Sequence, residues 1–116
     1  MNKRERVIAA IEKKPVDHVP ASFSLHFPKE AWKGQAGVDA HLSFMEQTGC
    51  DILKVMNENL VPLVGEMNGP ADWDQVPAHT KDSPFMRDQL ELTKMVLESY
   101  KGEAFSLATI HGITAS

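Results

Sequence analysis

The residues of this sequence with the clearest capacity for chemistry stand at the ends of apolar segments: His26, Asn57, Glu58 and His111. A carboxylate and an imidazole can each take up or release a proton, and an amide can donate and accept hydrogen bonds. Glu58 is therefore a candidate for proton transfer, and the other three are candidates for ligand contact. Each also has a structural interpretation, because strand ends carry solvated acids, turn asparagines and hydrogen-bonded histidines.

Three apolar segments would have to place these residues together. In the segment 20–27, apolar side chains alternate with serine and histidine, which is the period of a strand. The runs 51–56 and 104–110 are the second and third predicted strands. The run 51–56 is apolar almost throughout, as is typical of a parallel strand covered by helices. Because ligand sites form at the carboxyl ends of parallel strands, we expect the four residues at one edge of the sheet.

Helices are predicted between these strands. Asn2 and Glu5 have the spacing of a capping box for a helix over 3–14, which Pro15 ends. Gly34 and Gly37 are predicted to break the chain, and a shorter helix is predicted over about 39–48, with Gly49 as its stop. Alternation of helices and strands predicts an α/β fold with parallel strands.

The clearest helix begins at Ser83 and Pro84, since serine caps helices and proline favours the first helical position. Its predicted apolar stripe consists of Met86, Leu90, Leu97 and Tyr100, and it is flanked by Phe85, Leu92 and Val96. The preceding segment 61–82 mixes apolar residues with proline, glycine and aspartate. We expect it to be irregular.

Other titratable residues give weaker indications. Lys54 lies inside the second predicted strand, where the expected arrangement is a packed stem and an amine that reaches solvent. His18, His41 and His79 are scattered without the spacing of a metal site. No metal ligand is assigned within these residues.

The composition fits one globular domain over residues 1–116, with enough apolar residues (42%) to bury a core. The net charge of −4 argues against a nucleic-acid surface, and no apolar run is long enough to span a bilayer. The single cysteine, Cys50, excludes an internal disulfide and a multi-cysteine zinc site within this sequence. We expect a cytoplasmic protein without nucleic-acid or membrane partners.

The sequence resembles the uroporphyrinogen decarboxylase superfamily in the order and spacing of three motifs: NKRERVIAAIEKKPVDHVP, TGCDILKVMNEN and EAFSLATIHG. They resemble that family's first helix with its approach to strand one, its second strand and its third strand. The superfamily contains uroporphyrinogen decarboxylase and corrinoid-linked methyltransferases, all built on a (β/α)8 TIM barrel. The resemblance implies that this chain is the N-terminal part of such a barrel, a fragment with about three of its eight parallel strands.

The resemblance is closer to the methyltransferase branch. Glu58 matches the strand-two carboxylate that contacts substrate in the decarboxylase, where it is an aspartate, so the geometry differs by one methylene. The decarboxylase also has arginines at the end of strand one, where this chain reads Ser-Leu-His-Phe over 24–27. A porphyrinogen with eight carboxylates needs such cations. The methyltransferase branch implies a small methylated substrate, a corrinoid protein partner and a zinc ion whose ligands lie on later strands.

Three hypotheses follow from these observations. The first is the N-terminal portion of an enzyme that transfers a methyl group with a corrinoid protein. The second is uroporphyrinogen decarboxylation without a cofactor, with Glu58 in the role of the usual aspartate. The third is a non-catalytic fragment that forms a homo-oligomer through its open sheet edges. For the 116 residues alone we expect no turnover.

Overall fold

A computed structural model describes residues 1–62 and 64–111. Within these residues the chain forms three α-helices, two short 3-10 turns and a sheet of two parallel strands. The helices are α1 (Lys3–Ile11), α2 (Gly34–Thr48) and α3 (Pro84–Ser99), the strands are β1 (Ile52–Val55) and β2 (Phe105–Ala108), and the turns are Lys29–Ala31 and Pro70–Gln75. The prediction of an α/β fold with parallel strands is confirmed at this level.

Helix α1 has the predicted capping box. The Asn2 side chain accepts a hydrogen bond from the Glu5 amide at 2.8 Å, and the Glu5 carboxylate accepts one from the Asn2 amide at 3.0 Å. The helix ends at Ile11, three residues before the predicted end. Lys13 adopts a left-handed φ of 58°, so the chain leaves the helical path before it reaches Pro15.

Helix α2 begins five residues earlier than predicted, at Gly34, because Gly37 continues the helix and does not break it. Gly34 has a φ of 64° and opens the helix, whereas Gly37 lies inside it, buried. A β-carbon at Gly37 would lie 2.7 Å from Leu92 Cδ1 of α3 and 3.0 Å from the Ala31 carbonyl oxygen. Gly37 is therefore required for close helix packing. Gly49, with a φ of 65°, ends α2 as predicted.

Helix α3 buries one flank of the predicted apolar stripe rather than its centre. Its buried residues are Gln89, Leu92 and Val96, at helical spacing. Three residues of the predicted stripe are partly exposed instead: Met86 (37%), Leu90 (53%) and Leu97 (45%). The apolar surface of α3 is thus wider than the face that α2 and the sheet cover.

The two strands are parallel, with register pairs from Ile52 and Phe105 to Val55 and Ala108. Alternate residues of β1 point to opposite faces, and Leu53 and Val55 are buried in the core. Their core partners come mainly from α2 and α3: Val38, Met45, Cys50, Leu92 and Val96. Cys50 is a small buried core residue two positions before β1.

The segment 20–27, the first of the three predicted strands, is not a strand in the structure. It is extended and runs beside β1, but one backbone hydrogen bond joins it to that region, from the Asp51 amide to the Ala21 carbonyl at 2.9 Å. Pro20 and Pro28 flank it and have no amide hydrogen to donate. Alternation in the sequence thus identified an extended segment without fixing its backbone pairing.

Strand β2 lies at an edge of the sheet, and much of its surface is uncovered. Leu107 is 51% exposed and Ile110, just beyond the strand, is 89% exposed. A parallel strand normally lies between two covered faces, whereas this strand is largely exposed among the described residues. Among the described residues, no helix combines the length and the apolar character needed to cross a membrane.

We predict that Leu53→Ala lowers the free energy of unfolding by about 2–5 kcal/mol, because it leaves a cavity where β1 meets the helices. Leu107→Ala is the matched control, because the same substitution on the uncovered edge should change it by no more than about 0.5 kcal/mol. Urea unfolding of the two variants checks both values. Equal losses at the two positions would contradict this account of the core.

Candidate functional site

His26 and Glu58 meet at the carboxyl ends of the segment 20–27 and of β1. His26 Nδ1 lies 2.9 Å from Glu58 Oε1 and 3.1 Å from Oε2. The Glu58 side chain is only 12% exposed, whereas that of His26 is 91% exposed. Because the carboxylate accepts the Nδ1 hydrogen, the Nε2 atom of His26 is left as the outward proton acceptor or donor.

This contact belongs to a series of contacts along the two segments. Ala21 contacts Asp51 and Ser24 contacts Lys54, both 30 residues apart in sequence, and His26 contacts Glu58 32 residues on. A nearly constant offset is the mark of two parallel extended segments. Parallel alignment therefore brings His26 to Glu58, as the prediction of converging strand ends required.

The amino end of this alignment is held by the buried guanidinium of Arg6. It donates to both oxygens of Asp17, at 2.6 and 2.9 Å, and to Asp51 Oδ1. Asp51 Oδ2 in turn accepts from the Ala21 amide at 2.9 Å. The bonds from Arg6 hold the pKa of Asp17 well below its usual range. Burial raises the pKa of Asp51, but the Ala21 amide and Arg6 together outweigh it and lower the pKa.

The amine of Lys54 lies at the protein surface, where it donates to the Ser24 hydroxyl across the uncovered face of the sheet. The side chain is partly buried. The rungs Ser24–Lys54 and His26–Glu58 thus follow one another along this face.

Asn57 and His111 form a second pair at the same edge of the sheet. His111 Nε2 lies 2.8 Å from the Asn57 carbonyl oxygen, to which it donates. The side-chain nitrogen of Asn57, Nδ2, donates to the Thr109 carbonyl at 3.4 Å. The side-chain oxygen of Asn57 accepts from the backbone amide of Asn59. Both residues are therefore tied to the strand ends by their own hydrogen bonds.

Asn57 and His111 also line a cleft of about 570 Å³ between the strand ends, α3 and the segment before α3. His26 and Glu58 do not line it. The structure thus divides the four predicted residues into two pairs. His26 and Glu58 lie beside the uncovered face of the sheet, and Asn57 with His111 borders the cleft.

Two helix residues that fix the end of β1 were missed from the sequence. His41 Nε2 accepts a hydrogen bond from the Met56 amide at 2.9 Å, and Gln89 Nε2 donates to the Met56 carbonyl at 3.0 Å. Both side chains are buried, and both backbone groups of the last buried residue before the polar tip are satisfied. The available signal was a polar residue inside an apolar helical face: His41 between Val38 and Met45.

The hydrogen bonds of His41 define its tautomer. Nε2 accepts from Met56, so Nδ1 carries the hydrogen and donates to the Gly37 carbonyl at 2.6 Å. Burial lowers the pKa of His41, an effect that the Gly37 carbonyl opposes. The neutral His41 ring thus links α2 to β1. The ring of Phe27 packs against it in an edge arrangement, with 4.7 Å between the ring centroids.

Within residues 1–62 and 64–111, no group of three or more histidine, cysteine, aspartate or glutamate side chains is arranged to hold a metal ion. Comparisons with protein-family models, with curated proteins and with solved structures gave no match to this chain. The functional interpretation therefore rests on the geometry of the site and on the resemblance in the sequence.

We predict that the contribution of His41 to stability decreases as the pH falls. Its pKa in the folded chain is below the ordinary value of 6.5, so the unfolded chain takes up a proton first as the pH drops through that value. The contribution is complete above pH 6.5 and decreases below it. Urea unfolding at pH 7.5 and at pH 5 measures the difference.

His41→Leu should remove this part of the pH dependence. It should also cost about 1–3 kcal/mol at pH 7.5, because the buried Met56 amide loses its acceptor. Gln47→Leu, at an exposed position of the same helix and without an ionisable group, should leave the pH dependence as it is in the unaltered chain. An undiminished pH dependence in His41→Leu would exclude this role.

Proposed function

We propose that this chain is the N-terminal portion of a (β/α)8-barrel enzyme of the uroporphyrinogen decarboxylase superfamily. The complete enzyme would transfer a methyl group between a small methylated substrate and a corrinoid protein. The observation that carries the proposal is the meeting of His26 and Glu58 at the carboxyl ends of two parallel segments. The same edge is where barrel enzymes place their active sites.

The order of the extended segments supports a barrel. The segment 20–27 lies beside β1, and β1 pairs with β2, so each segment neighbours its predecessor in the chain. This sequential order is that of a singly wound barrel, and the first half of a doubly wound sheet of order 3-2-1-4-5-6 shares it. Helices α2 and α3 share one core with the same face of β1, as the outer helices of a barrel do.

The proposed chemical role of the His26–Glu58 pair is to hold and move one proton at the mouth of the barrel. Glu58 orients the imidazole by accepting the Nδ1 hydrogen, which leaves Nε2 directed away from the carboxylate. A base that is oriented by a third group is the usual arrangement in proton transfer. Both residues thus take part, with His26 as the outward-facing member.

The positions of the arginines favour methyl transfer over decarboxylation. Arg6 is bound by Asp17 and Asp51 at the amino end of the alignment, and Arg4 lies over the ring of Phe105 at the start of β2. Neither is at the carboxyl ends, where a porphyrinogen with many carboxylates would need bidentate partners, and the third arginine, the exposed Arg87 of α3, does not line the cleft there. Uroporphyrinogen decarboxylation is therefore the less favoured alternative.

Among the described residues, no cluster of histidine, cysteine, aspartate or glutamate is arranged to hold a zinc ion. In the proposed enzyme the zinc ligands would come from other residues, and the corrinoid from the partner protein. When bound, zinc would lower the pKa of a thiol and so activate it for methylation. The part assigned to this chain is limited to substrate contact and proton transfer by His26 and Glu58.

We predict that Glu58→Gln lowers kcat for methyl transfer by about 100-fold, the usual contribution of a positioned acid or base. The assay uses the complete enzyme, meaning this chain together with what the coding sequence supplies after Ser116. The assay measures the change in absorbance of the corrinoid protein's cobalamin as it receives a methyl group from small methylated compounds. Glu91→Gln, on the exposed surface of α3, is the matched control and should keep full activity. Decarboxylation of uroporphyrinogen by the unaltered enzyme would reject the proposal.

A second candidate is a non-catalytic fragment that self-associates, and the open edge of β2 favours it. The Thr109 amide donates to Val55 at 3.2 Å, so by alternation along the strand the Ser106 amide points away from β1. Ser106 is exposed, and the uncovered Leu107 lies next to it. An edge of this kind can pair with the same edge of a second copy.

If the chain self-associates, we predict that it elutes at about twice its mass of 12.9 kDa in size-exclusion chromatography with light scattering. Ser106→Pro should restore the monomer, because proline removes the outward amide. Ser106→Ala keeps that amide and is the matched control. A monomer at all concentrations would exclude this candidate.

A further inference from the structure

The cleft beside Asn57 and His111 has a lining with a marked chemical bias. Among the residues described, no aspartate or glutamate lines it, whereas Lys81, His79 and His111 do. We propose that this cleft binds a small aliphatic carboxylate, with its chain against the apolar lining and its head group near His79 and Lys81. The proposal does not depend on the proposed function.

The apolar part of the lining suits an aliphatic chain. It consists of Leu60, Val61, Phe85, Met86, Leu90 and Ile110. Several of these residues are well exposed in the chain alone, with Leu60 at 48% and Leu90 at 53%. A concave site of about 570 Å³ with a mainly apolar wall and a few polar groups is typical of small-molecule sites.

His79 provides the strongest polar indication. Its Nε2 atom is buried and has no hydrogen-bond partner within the described residues, and its ring packs edge-on against Phe85 at 5.0 Å. A buried nitrogen without a partner costs stability and is uncommon in native structures. The proposal requires the His79 ring to rotate, so that Nε2 turns from its buried position toward a carboxylate in the cleft. The unpaired nitrogen is then explained as a group kept for a ligand.

The surroundings of the head group favour a negative charge. The cleft reaches the first turn of α3, where Phe85 and Met86 lie and where no acidic residue is present. The hydroxyl of Ser83 accepts from the Thr80 amide and so does not cap the helix. The first amides of α3 thus have no side-chain acceptor, and their dipole favours an anion. Lys81 adds a cation, although its amine also pairs with Asp82 at 3.1 Å.

The test uses three probes with the same eight-carbon chain and different head groups: octanoate, octanol and octylamine. Binding to the 116-residue chain is measured by calorimetry and by NMR shifts of the His79 ring. We expect octanoate to bind about tenfold more tightly than octanol, as one charge-assisted hydrogen bond would give. Octylamine should bind most weakly, because the described lining contains the ammonium group of Lys81 and no carboxylate. Equal binding of octanoate and octanol would overturn the proposal.

A variant separates the head-group contact from general apolar binding. His79→Leu keeps the packing against Phe85 and removes the Nε2 nitrogen. The affinity for octanoate should then fall about tenfold, while the affinity for octanol stays the same. The same variant should melt at a higher temperature, because the unpaired buried nitrogen is gone. His18→Leu, outside the cleft, is the matched control and should change neither affinity. An unchanged octanoate affinity in His79→Leu would show that the nitrogen plays no part.

Discussion

The arrangement of the candidate site depends on the ion pairs of Arg6 at the opposite end of the sheet. Its guanidinium bridges Asp17 and Asp51, and Asp51 also binds the amide of Ala21. This network fixes where the segment 20–27 starts beside β1. Because both segments are extended and parallel, the starting point decides which residues meet at the far end. A shift of one residue would place another side chain against Glu58. The contact between His26 and Glu58 therefore depends on a buried charge network that does not touch either residue.

The end of β1 illustrates how helices define a polar strand tip. Met56 is the last buried residue, and the side chains of His41 and Gln89 satisfy its amide and carbonyl. No further strand partner is needed there, so the chain can leave the sheet at Asn57. Asn59 continues the arrangement by donating to Gln89 Oε1 at 2.9 Å. The apolar run in the sequence ends in polar residues because the helices supply hydrogen bonds in place of the sheet.

Local chemistry predicted those features that short segments determine by themselves. The capping box of α1, the stop at Gly49 and the strand of the run 51–56 depend on nearby residues, and each is present. The prediction was wrong where packing between distant elements decides the outcome. Gly37 was interpreted as a break because its contact with α3 is invisible in the sequence, and the buried face of α3 lies on one flank of the predicted apolar stripe rather than at its centre. His26 and Glu58 were each selected as polar residues at strand ends. Their direct contact could not be predicted, because the offset of the two segments is set by Arg6.

The surfaces that this chain leaves uncovered differ in chemical character. Beside the segment 20–27, the face of β1 carries hydrogen-bonded polar groups, with Lys54 on Ser24 and Glu58 on His26. The same face at β2, and its outer edge, is apolar and carries Leu107. Polar groups that already satisfy one another can remain in contact with water or a ligand at little cost, whereas exposed leucine at a strand edge favours burial by protein. A single parallel strand pair thus presents a hydrogen-bonded polar surface near Glu58 and an exposed apolar edge at β2.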